Sequence, residues 1–185
     1  MGAREVLTPV SCYRNSLFPI PYSPFPISWK VMRFPIVILA LAGILVSALA
    51  LHVHYSTGVE PCDINAHWDC GRVNRGSYAT LNGIFFHLRE SRHPDVDYGP
   101  APRTGFPVAL AGILGYAAIA LAAFFRRRWL TFLLAIPALA FALYLSNIEA
   151  HVLEVWCLYC VISQTLTALI FLLSLVTLFM RPRSA

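Results

Sequence analysis

Four stretches of the chain contain no Asp, Glu, Lys or Arg: 34–51, 106–125, 129–148 and 157–180. Each approaches the ~20 apolar residues that a helix needs to cross a bilayer. A helix is the natural spanning form, because it pairs its own backbone groups where no water can. A soluble bundle would show a polar stripe along each helix, and these runs have none. The pattern predicts an all-α membrane protein, a four-transmembrane-helix bundle with spans at about 34–52, 106–125, 129–148 and 157–180. The connection between spans one and two, 53–105, is long for one without function. Within it, 78–92 reads as a short amphipathic helix with Leu81, Ile84, Phe85 and Leu88 on one side. The following stretch, with Pro94, Pro100 and Pro102, reads as irregular chain. In span two, Pro107 suits a first turn, and Gly112 and Gly115 suit close helix packing. Pro137 predicts a kink in span three.

Composition supports this and charge orients it. The 185 residues are 58% hydrophobic and 12% charged, about half the charge of a soluble domain. The net charge of +5 does not point to nucleic acid, because the basic residues gather at span ends. Arg4, Arg14, Lys30 and Arg33 precede span one, Arg126, Arg127 and Arg128 separate spans two and three, and Arg181 and Arg183 follow span four. Four crossings put these three clusters on one side, which the positive-inside rule makes cytoplasmic, with both termini. All acidic residues except Glu5 fall in the two opposite connections, 53–105 and 149–156. Those connections are expected to face the periplasm or an equivalent lumen. Pro9, Pro19, Pro21, Pro24 and Pro26 forbid a regular helix in 1–31. That segment is expected to be a disordered cytoplasmic tail, with Cys12 an incidental thiol and Met32-Arg33 able to serve as an ordinary start. The membrane domain is expected over 32–183.

Four of the five cysteines then lie on the outer, oxidising side, where disulfides persist. Cys62 and Cys70 bracket Cys-Asp-Ile-Asn-Ala-His-Trp-Asp-Cys in the long connection. Cys157 and Cys160 form Cys-Leu-Tyr-Cys where span four enters the membrane. Residues three apart share a helix face. The first sulfur meets the unpaired N–H groups and dipole of a helix N-terminus, which favour thiolate, the reactive form. Cys160 lies about 4.5 Å further along the axis, at the edge of the apolar layer. Two pairs also suggest a zinc cage, but the Cys62/Cys70 spacing exceeds the usual knuckle. Purely structural disulfides and inert buried thiols are further alternatives. Under a redox reading, thiolate attack and mixed disulfides move oxidising equivalents between the pairs. The electrons then need a sink in the bilayer. No haem-attachment or nucleotide-binding motif is present, so a lipid-soluble quinone is the expected acceptor and no metal is expected.

These residues resemble a known family. Cys62-Asp63, Cys70 with Arg72-Val73, Gly83, His87 and Cys157-x-x-Cys160 together look like the vitamin K epoxide reductase family over roughly 34–180. The resemblance implies a four-helix bundle around a quinone pocket, capped by the outer loop. It implies one of two net uses: oxidation of a thioredoxin-like partner with electrons passed to quinone (ubiquinone or menaquinone), or reduction of vitamin K and its epoxide by partner thiols. A non-enzymatic scaffold held by structural disulfides is the third possibility. Carried over, Cys160 would face the quinone, Cys157 would pair with it and exchange with Cys70, and Cys62 would meet the partner. Many bacterial relatives carry a fused thioredoxin domain; here the expected partner is a separate thioredoxin-fold protein, DsbA-like or PDI-like, with membrane lipid around the spans. The family's animal members have a tyrosine four residues after the last cysteine, and here stands Gln164, still able to donate to a quinone carbonyl. It also has an asparagine near the start of span two, where Arg103 and Thr104 are the nearest polar residues.

His52, His54, His67, His87, His93 and His151 lack tight ligand spacing and are expected to be surface or loop-packing residues. Glu149 and Glu154 read as solvated link residues, with a proton relay as the alternative. Trp129 and Trp156 fit interfacial anchors, and Trp68 is expected to dock the loop onto the bundle.

Overall fold

A computed structural model describes residues 29–92, 99 and 104–179. The expected tail, apart from 29–31, lies outside the described residues, as do Cys12, His93 and Arg103. Four long helices carry the apolar runs: α1 (Trp29–Tyr55), α4 (Val108–Phe124), α5 (Arg128–Ile148) and α6 (Leu158–Phe179). Between α1 and α4 the chain forms α2 (Cys70–Arg75), a 3-10 turn (Ser77–Ala79) and α3 (Leu81–Arg92). No strand occurs among the described residues, only isolated bridges.

Three of the long helices are long and apolar enough to cross a membrane, and α4, with 17 residues, is a shorter apolar helix at the lower end of the spanning range. Around an apolar core of Ile36, Ile119 and Ile170, burial departs from that of a soluble bundle. Leu41, Leu45, Leu133 and Leu172 are exposed on the outside, while Ser47, Thr131, Thr167, Ser174 and Thr177 are buried inside. Small polar residues inside and leucines outside is the arrangement lipid selects, since lipid offers no hydrogen bonds and no penalty for apolar surface. Ser174 and Thr177 donate to carbonyls of their own helix, at 2.8 and 2.6 Å.

Several boundaries differ from expectation. Helix α1 begins at Trp29 rather than 34 and runs through Pro35 to Tyr55. Its 27 residues measure about 40 Å, more than the ~30 Å apolar core. The loop expected over 53–105 therefore starts with helix and contains two more. Ile84 is buried on α3, but Phe85 and Leu88 are exposed, so only part of the expected apolar side is covered. Pro107 caps α4 rather than occupying its first turn, and α5 continues through Pro137. The α4–α5 turn closes with Arg126 in the left-handed region at φ 60°.

Helix α1 packs on α4 and α6, and α5 packs on α6 and α4. Tyr116 of α4 ties three of them together. Its ring lies against Gly43 of α1 so closely that a Cβ there would overlap it. Its hydroxyl meets the Ser163 carbonyl (2.7 Å), Ser163 Oγ (2.9 Å) and Thr167 Oγ1 (2.7 Å) of α6. Gly112 also sits close to α1, with Ser47 Oγ 2.8 Å from the place of its missing Cβ. Gly115 faces open space and borders a cavity instead.

The ring of Tyr116 is pinned by its hydroxyl and has no room to yield. Gly43→Ala is expected to destabilise the bundle by about 1–3 kcal/mol, read as a lower melting temperature in detergent. Gly58→Ala, where a Cβ meets nothing within 4 Å, should leave that temperature unchanged.

Candidate functional site

The four outer cysteines converge at one end of the bundle. Cys62 and Cys70 form a disulfide with Cα atoms 5.9 Å apart. Both are buried in a cluster with Val53, Val73, Val155 and Cys157, and Cys160 packs against it. Cys157 and Cys160 are free thiols.

Local chemistry seats the disulfide. Asp69 caps α2, accepting the Arg72 N–H at 2.7 Å, which places Cys70 at the first helical position. Asn65 Oδ1 accepts the His67 and Trp68 N–H groups, at 2.9 and 3.1 Å, and folds the loop back on itself. Asp63 accepts the Glu60 N–H at 3.0 Å and the Gly71 N–H at 3.1 Å, tying the two disulfide arms together. Arg75 fastens α2 to the end of α1: it donates to the carbonyls of Val53 (3.3 Å) and Gly58 (2.6 Å) and to Ser56 Oγ (3.1 Å), and pairs with Glu60 at 3.3 Å. Ser56 also donates to Glu60.

Two backbone bonds then dock the loop on the segment before α6: Asp69 N–H to the Trp156 carbonyl (3.1 Å) and Trp156 N–H to the His67 carbonyl (2.8 Å). Trp68 makes the bridge to Trp156, so the expected docking occurs at that residue, through backbone.

Cys157 stands at the N-terminus of α6, as the sequence suggested: it immediately precedes the helix, is fully buried, and its carbonyl accepts the Val161 N–H at 3.0 Å. Its N–H donates to Glu149 Oε2 at 3.1 Å. The Asn74 amide donates to Cys157 Sγ at 3.2 Å and to the Cys70 carbonyl at 2.9 Å, spanning the two cysteine pairs. His54 Nδ1 lies 2.5 Å from the Asn74 backbone carbonyl. A carbonyl only accepts, so the proton sits on Nδ1.

A cavity of about 170 Å³ lies between the four long helices and beneath α2. Cys160, Gln164, Ser146, Glu149, Asn74 and Tyr78 supply polar groups to a wall that is otherwise largely apolar. Ser146 donates to the Gln164 carbonyl oxygen, which turns the Gln164 amide nitrogen into its donor end. Tyr78 stacks on His87 with ring centres 4.1 Å apart, and His87 Nε2 lies 2.9 Å from Ser77 Oγ. Burial pushes the Tyr78 phenol above its usual value, so it remains protonated at neutral pH.

Gln164 is brought to the cavity with Cys160 as expected. Thr104 is not: it is exposed and does not line the cavity. Glu149, read as a solvated link residue, is buried, because a π-helical turn (Glu149–Leu153) extends α5 and folds its side chain under Cys157. A lone acid closing an apolar run was the available signal. Asn74 is one turn beyond Cys70, a relation visible only once α2 is known to be helical. Among the described residues, Cys62, Asp63 and Cys70 form a cluster of metal-donor types, but its sulfurs are bonded to each other.

A helical membrane protein with a disulfide packed on a free Cys-x-x-Cys pair, above a cavity between its spans, belongs in class with the membrane oxidoreductases. The sequence profile of the vitamin K epoxide reductase family matches residues 34–175, and the chain belongs to that family. No curated protein matches it significantly.

Asp63 offers a test of the loop's architecture. The Glu60 N–H, then the Gly71 N–H and the Arg75 charge, hold its carboxyl below the usual 3.8 against a smaller opposing effect of burial. A carboxyl whose affinity for protons falls on folding stabilises fully above the unfolded value of about 3.9. That contribution is lost as pH falls through the lowered folded value. Hydrogen exchange at the Glu60 and Gly71 amides, corrected for intrinsic rates, should therefore accelerate as pH drops below that range, and Asp63→Asn should show the faster exchange at neutral pH.

Proposed function

We propose that the protein is a quinone-linked thiol–disulfide oxidoreductase that forms disulfides in a separate thioredoxin-fold partner. The observation that carries this reading is the Asn74 amide, which bonds the Cys70 carbonyl and Cys157 Sγ at once. It holds the loop pair against the membrane pair where sulfur exchange requires them.

The steps balance as two-electron transfers. A partner thiolate attacks the Cys62–Cys70 disulfide at Cys62, and resolution leaves the partner oxidised and Cys62 and Cys70 reduced. Cys70 thiolate then attacks Cys157 of a Cys157–Cys160 disulfide, and Cys62 resolves that mixed bond. This leaves an oxidised loop pair and two membrane-edge thiols, the state described above. A quinone in the cavity supplies the two-electron acceptor that returns Cys157 and Cys160 to a disulfide. The donor end of Gln164 and the Tyr78 hydroxyl fit carbonyl oxygens, and the apolar wall fits the ring. Asn74 donates to Cys157 Sγ, which eases loss of the thiol proton when that sulfur reacts. The cysteines act on the periplasmic or luminal side, with both chain ends cytoplasmic, a reading that the distribution of basic residues supports.

Purified protein in detergent, given a reduced thioredoxin-fold protein and a soluble ubiquinone or menaquinone analogue, should bleach the quinone absorbance in step with partner oxidation. Cys160→Ser should abolish the signal. Absence of quinone reduction by the unaltered protein with bacterial and PDI-type partners alike would overturn the reading. Asn74→Ala is expected to slow transfer between the pairs about 10–100-fold, since a charge-assisted bond contributes about 1.5–3 kcal/mol. Stopped-flow trapping of the loop dithiol measures this directly.

A further inference from the structure

The buried carboxyl of Glu149 has no part in the relay just described, yet it bonds the Cys157 backbone and shares the cavity with Cys160. It is 2% exposed. Its Oε2 accepts the Cys157 N–H at 3.1 Å, and it lines the cavity beside Cys160. A carboxylate is costly to bury unless its oxygens are satisfied, and a buried acid at the end of an apolar span marks function more often than structure. If its only role were to hold Cys157 N–H, an uncharged amide or hydroxyl would serve without that cost.

Converting two thiols to a disulfide releases two protons with two electrons. The Cys160 proton begins in a pocket roofed by α2 and walled by the spans, and Glu149 lines that same pocket. We propose that Glu149 is the proton carrier of the membrane-edge pair. Its carboxylate takes the proton of the Cys160 thiol as that sulfur begins to give up electrons, and passes it to the acceptor oxygen in the cavity. As the Cys157–Cys160 bond closes, it carries the proton of the Cys157 thiol by the same route. Two electrons and two protons reach the acceptor, one S–S bond forms, and Glu149 ends as the carboxylate it began as. The other titratable groups facing this cavity are His54 from α1, Tyr78 from the 3-10 turn, Tyr116 from α4 and Tyr159 from α6. Of these titratable groups and Glu149, Glu149 is the one that bonds a membrane-edge cysteine, at the Cys157 N–H.

The inference rests on the quinone-linked reading, and the test separates the two. Glu149→Gln keeps an oxygen that accepts the Cys157 N–H, so the bundle should melt as the unaltered protein does; should it not, Glu149→Asp, which keeps the carboxyl, is the second variant. Reduction of Cys62–Cys70 by partner thiols in a single turnover without quinone should be unchanged in Glu149→Gln. Reduction of the quinone analogue by the membrane-edge thiols should fall about 10²-fold or more and change its pH profile, with Glu149→Asp recovering part of the rate. Independently of quinone, the pH midpoint for alkylation of Cys160 by a small neutral maleimide, read by mass spectrometry, should move in Glu149→Gln. It should stay in place in Glu154→Gln, which alters an exposed residue. Wild-type quinone rates and an unmoved alkylation midpoint in Glu149→Gln would overturn the proposal. If the unaltered protein reduces no quinone, the functional reading falls, and the alkylation midpoint still decides the role of Glu149.

Discussion

Seating a water-side disulfide loop on the mouth of a membrane bundle is the constraint on which this structure turns. The disulfide segment has few apolar side chains of its own, and a loop of this kind would ordinarily sample many conformations. Here the Asp69–Trp156 and Trp156–His67 backbone bonds latch it to the chain that leads into α6, and Asn74 adds a bond to Cys157 itself. Each such bond contributes about 1 kcal/mol net, and ordering the loop costs more than any one of them. The latch holds because Arg75 fastens the same short helix to the end of α1. A six-residue helix is far below the length that is stable alone. Helix α2 exists because its cap, its arginine and its buried cysteine are all engaged elsewhere.

That arrangement gives the two cysteine pairs different surroundings. Cys62 and Cys70 are buried beneath a loop tied by many small polar bonds, the kind of region that opens locally at modest cost. Cys157 is held from three directions: by Asn74 at its sulfur, by Glu149 at its N–H and by Val161 at its carbonyl. Under the relay proposed above, the loop pair would leave to meet the partner while the membrane-edge pair stays beside the cavity. The bundle below supplies the fixity. Tyr116 ties α1, α4 and α6 through one ring and one hydroxyl, in a setting where lipid offers no competing hydrogen bonds.

Membrane class, the number of long helices, the cysteine pairs and the family were all legible in the residue order. Uncharged runs as long as a bilayer leave little choice of structure, since every backbone group must be paired within the segment. The Cys62/Cys70 and Cys157/Cys160 spacings are local facts that survive any folding of the rest. The extra turns of α1 were hidden because Lys30 and Arg33 interrupt its apolar run, although a helix tolerates them where it leaves the lipid.

What only the tertiary structure decided is which polar residues meet the cysteines. Asn74 and Glu149 reach Cys157 from separate elements, 83 and 8 residues away in the chain, and no local pattern marks that meeting. Proximity to span two made Thr104 look like a cavity residue, but the chain before α4 turns outward and leaves it exposed. Hydrophobic pattern reports where a segment must be, because transfer into lipid acts on each segment separately. Hydrogen-bond partners depend on angles and depths set by the packing of several segments at once, and these exist only when the bundle and its cap have closed.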